Sequence, residues 1–464
     1  MAKRVMAEGP VTGRWPLPAS WCWRRARDLG KIVGGSTPKN ASDPTNFAED
    51  GIPWLTPADL SGYTGRTIGA GRRNLAPHVV NRAALLPTGS VLISSRAPVG
   101  YCAVTSNPMA TNQGFRSLVP ADDVDPFFIR YYVLFSRNYL EDHASGTTFK
   151  ELSGSALGDL VFPVPPIDVQ RRIVARIDEL FAEVDDGEAA LARARDDLAT
   201  WRKALLKAAV TGELTADWRA ANPPSQTGPD LLALILAKRR ASWAAKPINK
   251  GRAYKEPRPL AIDEGRKLPE GWTWASVDQI GEVVTGNTPP ASDLAAYDGD
   301  VPFFTPGDLD AGFALDATKR TLGPSGLAKS KPVPSRSVLV TCIGATIGKV
   351  GFNARAGASN QQINTIIPAV DDLAECIFHY FDGPGRRHVV DGASSTTMPI
   401  INKGDFSQLP VPIPPLDEAR EIGRVVAARY DDADAAREDM KYAGLAAATL
   451  RQSILAAAFR GDLA

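Results

Sequence analysis

A chain of 464 residues exceeds what one ordinary hydrophobic core can serve, so two to four domains are expected. With 53 Lys and Arg against 52 Asp and Glu, the net charge is +1, which alone implies no polyanionic partner. The four cysteines are far apart and none forms a CxxC pair, which argues against zinc or a disulfide framework; no apolar run is long enough to cross a membrane, and Met1 to Trp15 lacks the core of a signal peptide, so the cytoplasm is the expected location.

In chain order, Leu17-Pro18-x-x-Trp21-x-Trp23 opens a region of short, β-branched runs bounded by Gly, Pro, Asn or Asp. DLGKIVGGSTP (28–38), IPWLTPADL (52–60), LPTGSVLIS (86–94) and ATNQGFRSLVP (110–120) read as strands and strand ends, with SVLIS buried. Aromatics at helical spacing predict a helix over Pro126 to Glu141. An Ala-Ser-x-Thr-Thr stretch follows at 144–148, then PVPPIDVQRRI from Pro163. From there Ile173, Ile177, Leu180, Val184, Gly187, Leu191, Ala194, Leu198, Trp201 and Leu205 alternate in steps of four and three. That is an a/d seam, and it predicts one long helix from Pro166 to Val210. Asp168 caps its start.

ANPPSQTGP (221–229) is a breaker-rich linker. Asp230 is expected to cap a short helix with a basic end, LLALILAKRRASW, before a flexible basic stretch, NKGRAYKEPRP (249–259).

The whole pattern then recurs. Leu268-Pro269-x-x-Trp272-x-Trp274, QIGEVVTGNTP (279–289), VPFFTPGDL (301–309), VPSRSVLVT (333–341), ASNQQINTIIP (358–368) and a second Ala-Ser-x-Thr-Thr (393–397) repeat the first copy at offsets of 247 to 251 residues. A shorter helix is expected near Leu373 to Phe381. PIPPLDEAREI from Pro412 opens the second long helix, which Asp417 caps. Its seam is mostly alanine and is interrupted at Arg429, with Tyr430 beside it as a substitute anchor. Insertions fall between the blocks, so the framework is fixed and the loops vary.

These residues predict an α+β (mixed α/β) chain: two similar globular domains with largely antiparallel sheets, and two long antiparallel helices forming a coiled coil, related by a pseudo-two-fold internal repeat. The expected boundaries are 1–162, 163–212 for the first spacer helix, 213–267 for the linker, 268–411, and 412–464 for the second spacer helix. Charge is uneven. Residues 1–160 carry +4, residues 211–268 carry +5, and residues 269–415 carry −5, so a nucleic-acid surface on the second domain must be a local patch.

Catalytic motifs fail. GATIGKV (344–350) has one residue too few between its glycines for a phosphate loop and no following Ser or Thr. Asn222-Pro223-Pro224-Ser225 is similar to the adenine methyltransferase motif but lacks its aromatic. His78, His143, His379 and His388 share no metal-ligand spacing. A binding protein without catalytic residues is expected.

The order of domain, helix, domain, helix, the LPEGWxW start at Leu268, the PxPP-[IL]-D-x-x-x-R-x-I helix openings and the closing WRKALLKAAVTGEL (201–214) and LRQSILAAAFRGDL (450–463) closely resemble the specificity subunit of type I restriction-modification systems. The resemblance covers nearly the whole chain. It implies two target-recognition domains, each reading half of a split, asymmetric double-stranded DNA site, with the helices as a spacer that sets the unread gap. It implies docking of two modification subunits that carry S-adenosylmethionine and methylate adenine N6. It also implies restriction motor-nuclease subunits that use ATP and magnesium, and no cofactor in this chain.

Loops that differ between the copies are where different bases are read. On that ground Lys39, Arg66, Arg72, Arg73 and Arg96 are the candidate DNA contacts of the first domain, and Lys319, Arg320, Lys349 and Lys403 those of the second. Asn112, Gln113, Asn360 and Gln361 occur in both copies; they are candidates for reading adenine, although their sharing favours a framework or backbone role, as does that of the paired threonines. Two other readings fit the residues: a coiled-coil adaptor that binds proteins, and an orphan specificity paralogue without active partners.

Overall fold

The computed structural model describes residues 13–463, apart from 41, 97, 146–149, 261–266 and 395–397. The chain divides into two compact units. One holds residues up to Ala192 together with those from Met440 on, and the other runs from Arg193 to Asp439. The expected long helices are present at Ile167–Thr211 and Leu416–Arg460. Each contributes one part to each unit.

Among the described residues, the first unit contains β1 (Cys22–Arg25), β2 (Gly30–Gly34), β3 (Phe47–Leu55), β4 (Thr67–Ile68), β5 (Arg73–Leu75), β6 (Val91–Ile93), β7 (Cys102–Thr105), β8 (Ala110–Thr111), β9 (Arg116–Pro120) and β10 (Val161–Val164). They form a sheet in the order β2-β9-β6-β7-β4, a smaller one β5-β3-β8, and the pair β1-β10. Pairing is antiparallel except for β3 with β8 and β4 with β7. The helix expected over Pro126 to Glu141 is broken. It runs Pro126–Phe135 and resumes at Arg137–Asp142, because Ser136 leaves helical geometry and its hydroxyl donates back to the Tyr132 carbonyl at 2.5 Å. Asp125 caps it by accepting from the Phe127 and Phe128 amides.

The second unit repeats the plan with β11 (Thr273–Ser276), β12 (Gly281–Thr285), β13 (Val301–Phe304), β14 (Thr321–Leu322), β15 (Pro332–Val333), β16 (Val338–Thr341), β17 (Val350–Phe352), β18 (Gly357–Ser359), β19 (Ile363–Pro368) and β20 (Pro410–Ile413). The orders are β12-β19-β16-β17, β14-β13-β18-β15 and β11-β20. β13 and β18 are parallel, like β3 and β8. The equivalent of the broken helix is likewise in two pieces, Ala374–Asp382 and Arg386–Asp391.

The linker helix spans Gly228–Ala245 and buries Leu231 and Ile235 in the second core. Its N-cap is Thr227, not Asp230. Asp230 instead completes a capping box by accepting from the Thr227 amide at 3.0 Å. The basic stretch after it is pinned to the unit: the Arg258 amide donates to Asp278 and its carbonyl accepts from Ser276.

In the first unit the opening turns of the first long helix share a core with the last turns of the second. Ile173, Val174 and Ile177 lie in one buried cluster with Ile454, Ala458 and Phe459. Phe459 meets the Phe128 and Tyr132 rings edge to face, with centroids 5.2 and 5.1 Å apart. In the second unit Ala209 and Val210 share a core with Ala419, Ile422 and Val426. Tyr430 packs at its edge while Arg429 is exposed. Gly212 and Gly461 end the two helices at φ +74 and +96. A Cβ on either would stand 2.5 Å from a proline ring, Pro269 or Pro18. These prolines belong to the Leu-Pro-x-x-Trp entries, so each entry is locked to a helix end.

The seam is not closed along its length. Between Leu180, Val184, Gly187 and Leu191 on one helix and Ala443, Ala447, Leu450 and Ile454 on the other lies an open groove of about 1180 Å³. Leu450 is 50% exposed there. Glycine and alanine leave too little side chain to fill the space between facing helices.

Candidate nucleic-acid interface

One turn organises each unit. After β3, the Asp59 carboxylate accepts from the Thr56 amide and hydroxyl at 2.7 and 2.8 Å. Its other oxygen accepts from the Arg72 amide at 3.1 Å. After β13, Asp308 accepts from the Thr305 amide and hydroxyl at 2.9 and 2.6 Å and from the Lys319 amide at 3.0 Å. Burial pushes the Asp308 pKa upward, but the Thr305 hydroxyl and the Lys319 and Thr305 amides outweigh it and hold the carboxyl below its ordinary value. A carboxylate thus ties the strand end to a loop that carries a basic pair, Arg72-Arg73 in one unit and Lys319-Arg320 in the other.

The second member of each pair lies on aromatic rings. The Arg73 guanidinium is 4.2 Å from the Phe47 centroid and 5.3 Å from that of Trp54. Arg320 is 4.2 Å from Tyr297 and 5.9 Å from Phe303. Such stacking restricts a long side chain without neutralising it, and contributes roughly 0.5–1 kcal/mol at exposed sites. Arg72, Arg73, Lys319 and Arg320 are all exposed.

The shared Asn-Gln pairs adjoin these loops. β8 lies beside Trp54 and leads into Asn112-Gln113; β18 lies beside Phe303 and leads into Asn360-Gln361. The Asn112 side chain accepts from the Gly114 amide at 2.9 Å, and Asn360 from the Gln362 amide at 3.1 Å. Both therefore shape their own turns. Gln113 is bonded to Thr37 and Gln361 to Thr288, and both glutamines are exposed. The Trp54 indole donates to the Ser36 carbonyl at 3.2 Å, which completes the link between Arg73 and Gln113. Each unit thus gathers a stacked arginine and an exposed glutamine around one end of a central strand, the C-terminal end of β3 or of β13. Among the described residues, no three His, Cys, Asp or Glu side chains gather to hold a metal.

The family model described as the type I restriction modification DNA specificity domain matches twice, over residues 18–190 and 269–435. The chain belongs to this family. The type I restriction enzyme MjaIX specificity subunit of Methanocaldococcus jannaschii is 38% identical over 162 residues, covering 34% of this chain and 37% of that protein. The chain thus spans little more than a third of that relative's length. The EcoBI specificity subunit of Escherichia coli is 26% identical over 477 residues, covering 99% of this chain and 90% of that protein. Among solved structures, the HsdS subunit from Thermoanaerobacter tengcongensis shares the fold with a TM-score of 0.57 at 19% identity, covering 97% of this chain and 99% of that one. A chain from a study of complex assembly and conformational transition in a type I R-M system matches at 0.66, also at 19% identity, covering 97% and 100%.

The remaining candidates are dispersed over the two specificity domains. Arg96 pairs with Glu151 at 3.1 Å, and Glu151 also pairs with Arg116 at 3.2 Å. Arg116 in turn donates to the Gln113 carbonyl at 3.0 Å, so Arg96 borders the Arg73–Gln113 edge. Arg116 was missed by the sequence reading. It lies inside a framework block read as strand, where the second copy has Asn364, so the criterion of differing loops passed it over. Arg66 is turned toward the first long helix, with Asp178 at 2.6 Å and the Phe127 ring at 4.2 Å. Lys349 pairs with Asp310 at 2.5 Å. Lys39 and Lys403 are exposed. Thr147, Thr148, Thr396 and Thr397 lie outside the described residues.

Proposed function

We propose that this chain reads a split, asymmetric double-stranded DNA site, one half with each unit, for a type I restriction-modification enzyme whose chemistry resides in partner subunits. The observation that carries this reading is the recurrence of the carboxylate-tethered basic loop with changed side chains: Arg72-Arg73 on Phe47 and Trp54, against Lys319-Arg320 on Tyr297 and Phe303. A shared frame with different tips is what two readers of different half-sites require. Arginine pairs in a bidentate manner with guanine, and lysine positions a phosphate. The second domain is acidic overall, so its DNA contact is confined to this edge.

Two modification subunits would dock on the helical region and bring S-adenosylmethionine to adenine N6, one at each half-site. Restriction subunits would add ATP- and magnesium-dependent cleavage. The paired helices would set the unread gap, and the whole enzyme would work in the cytoplasm. The test is co-purification of the chain with a modification subunit, followed by an electrophoretic shift of duplex DNA. A complex that retards duplex is the expected result. Tight capture of proteins with no retardation of any duplex would favour the adaptor reading.

A further inference from the structure

The first unit contains a second polar site, apart from the Arg73–Gln113 edge. A cleft of about 770 Å³ opens beside the first long helix, bordered by Tyr63, Thr64, Tyr101 and the arginines 66, 130 and 137. Arg130 is only 7% exposed. Its Nη2 donates to the Gly65 carbonyl at 3.1 Å, its Nε has no acceptor, and among the described residues no carboxylate pairs with it. The other arginines of the cleft are neutralised: Arg66 by Asp178, Arg137 by Glu141, and Arg451 by Asp185 and Glu188. The three carboxylates that line the cleft are therefore already engaged. A buried guanidinium without a counter-ion is costly, and burial is tolerated where a partner fills the gap.

The internal repeat supplies a comparison. At the offset of 249 residues, His379 takes the place of Arg130 and Phe313 that of Thr64. In the second unit the Phe313 ring lies flat on His379, with centroids 5.7 Å apart and planes at 11°, and Tyr430 closes the edge. The fold thus accommodates a neutral ring under an aromatic plug at this position. In the first unit the plug is absent and a fixed cation lies beneath. Packing alone does not demand the arginine.

We propose that the Arg130 cleft binds a nucleotide, its phosphate on the Arg130 guanidinium and its base against the tyrosine walls. The planar donor fork matches phosphate oxygens, aromatic faces suit a base, and the volume lies in the range of small-ligand sites. The nucleotide is either free in solution or a unit of a nucleic-acid strand. This site is separate from the Arg73–Gln113 edge, so it stands whether or not that edge reads DNA.

The test is calorimetric titration of the full-length chain with adenosine 5′-monophosphate. Saturable binding is expected, weakened about tenfold or more by Arg130→Gln and by Thr64→Phe, and unchanged by His379→Phe. Thr64 is exposed, so Thr64→Phe plugs the cleft without disturbing the core if Arg130→Gln fails to fold. Competition by duplex DNA would identify the strand as the source, and its absence a free nucleotide. No saturable binding of either ligand, or wild-type affinity in Thr64→Phe, would overturn the proposal.

Discussion

Asp59 and Asp308 do the same work in two copies, and the residues they hold differ. The basic pairs were legible in the sequence because they sit in loops that change between copies. Their aromatic platforms were not, since Phe47 and Tyr297 lie outside the matched blocks and meet the arginines only through strand pairing and loop folding. Arg66 was a candidate reader from its place in a differing loop; that its guanidinium meets Asp178, a residue 112 positions away, no local pattern announces. With Arg72→Ala and Arg73→Ala together, the assembled enzyme should bind DNA more weakly, and the slope of log affinity against log salt should fall by about one to two. Filter binding over a salt series measures this, and an unchanged slope would remove these residues from the interface.

His379 supports a second prediction at the same scale. Burial, and then the nearby Arg202 charge, lower its pKa from 6.5 to about 3. Between those values the unfolded chain binds a proton that the folded unit refuses. The stability due to neutral His379 is therefore complete above pH 6.5 and is lost as pH falls toward 3, by up to about 1.4 kcal/mol per pH unit. His379→Phe should flatten that part of the pH dependence in urea unfolding; an identical profile in variant and wild type would contradict it.

At the scale of elements, the long helices were the most legible feature. The Pro-Pro opening and the heptad stripe place the ends of the first to within about a residue, while the second, bounded at 412–464, is four residues shorter at each end. How the seam packs was not legible. A stripe of Gly187 and alanines implies close approach, but closeness depends on the larger residues at either end, and an open groove results. The opening of the second long helix also contains an interaction that no motif announced. Glu418, 1% exposed, accepts from the Thr215 hydroxyl at 2.6 Å, the Arg219 guanidinium at 2.8 Å and the Trp272 indole at 2.9 Å. It joins the turn after the first long helix to the entry strand of the second unit. The first copy has Val169 at that position, and its buried polar contact is one residue on, where Gln170 bonds to Asp123, Asp125 and Pro165. Glu418→Ala leaves three donors behind, one of them charged. It should destabilise the second unit by about 3 kcal/mol in urea unfolding; a loss within about 0.5 kcal/mol would show the cluster to be dispensable.

For the whole molecule, duplication was visible in the sequence because the framework blocks recur at nearly constant offsets, and the structure repeats sheet order, parallel pair and tethered loop in both units. Which bases are read was not visible, since that depends on a few exposed side chains against a ligand. On the proposed function, the two 45-residue helices would act as a spacer that converts length into base-pair spacing. Removing one matched heptad from each takes away about 10 Å, or roughly three base pairs. The decisive measurement is single-molecule sequencing of methylated adenines in a host that carries this chain and its modification subunit, with and without the paired deletions. A two-part methylated motif, whose unread gap shortens in the deletion variant while both half-sites persist, is the predicted result. A single uninterrupted motif, or a gap indifferent to helix length, would contradict the account.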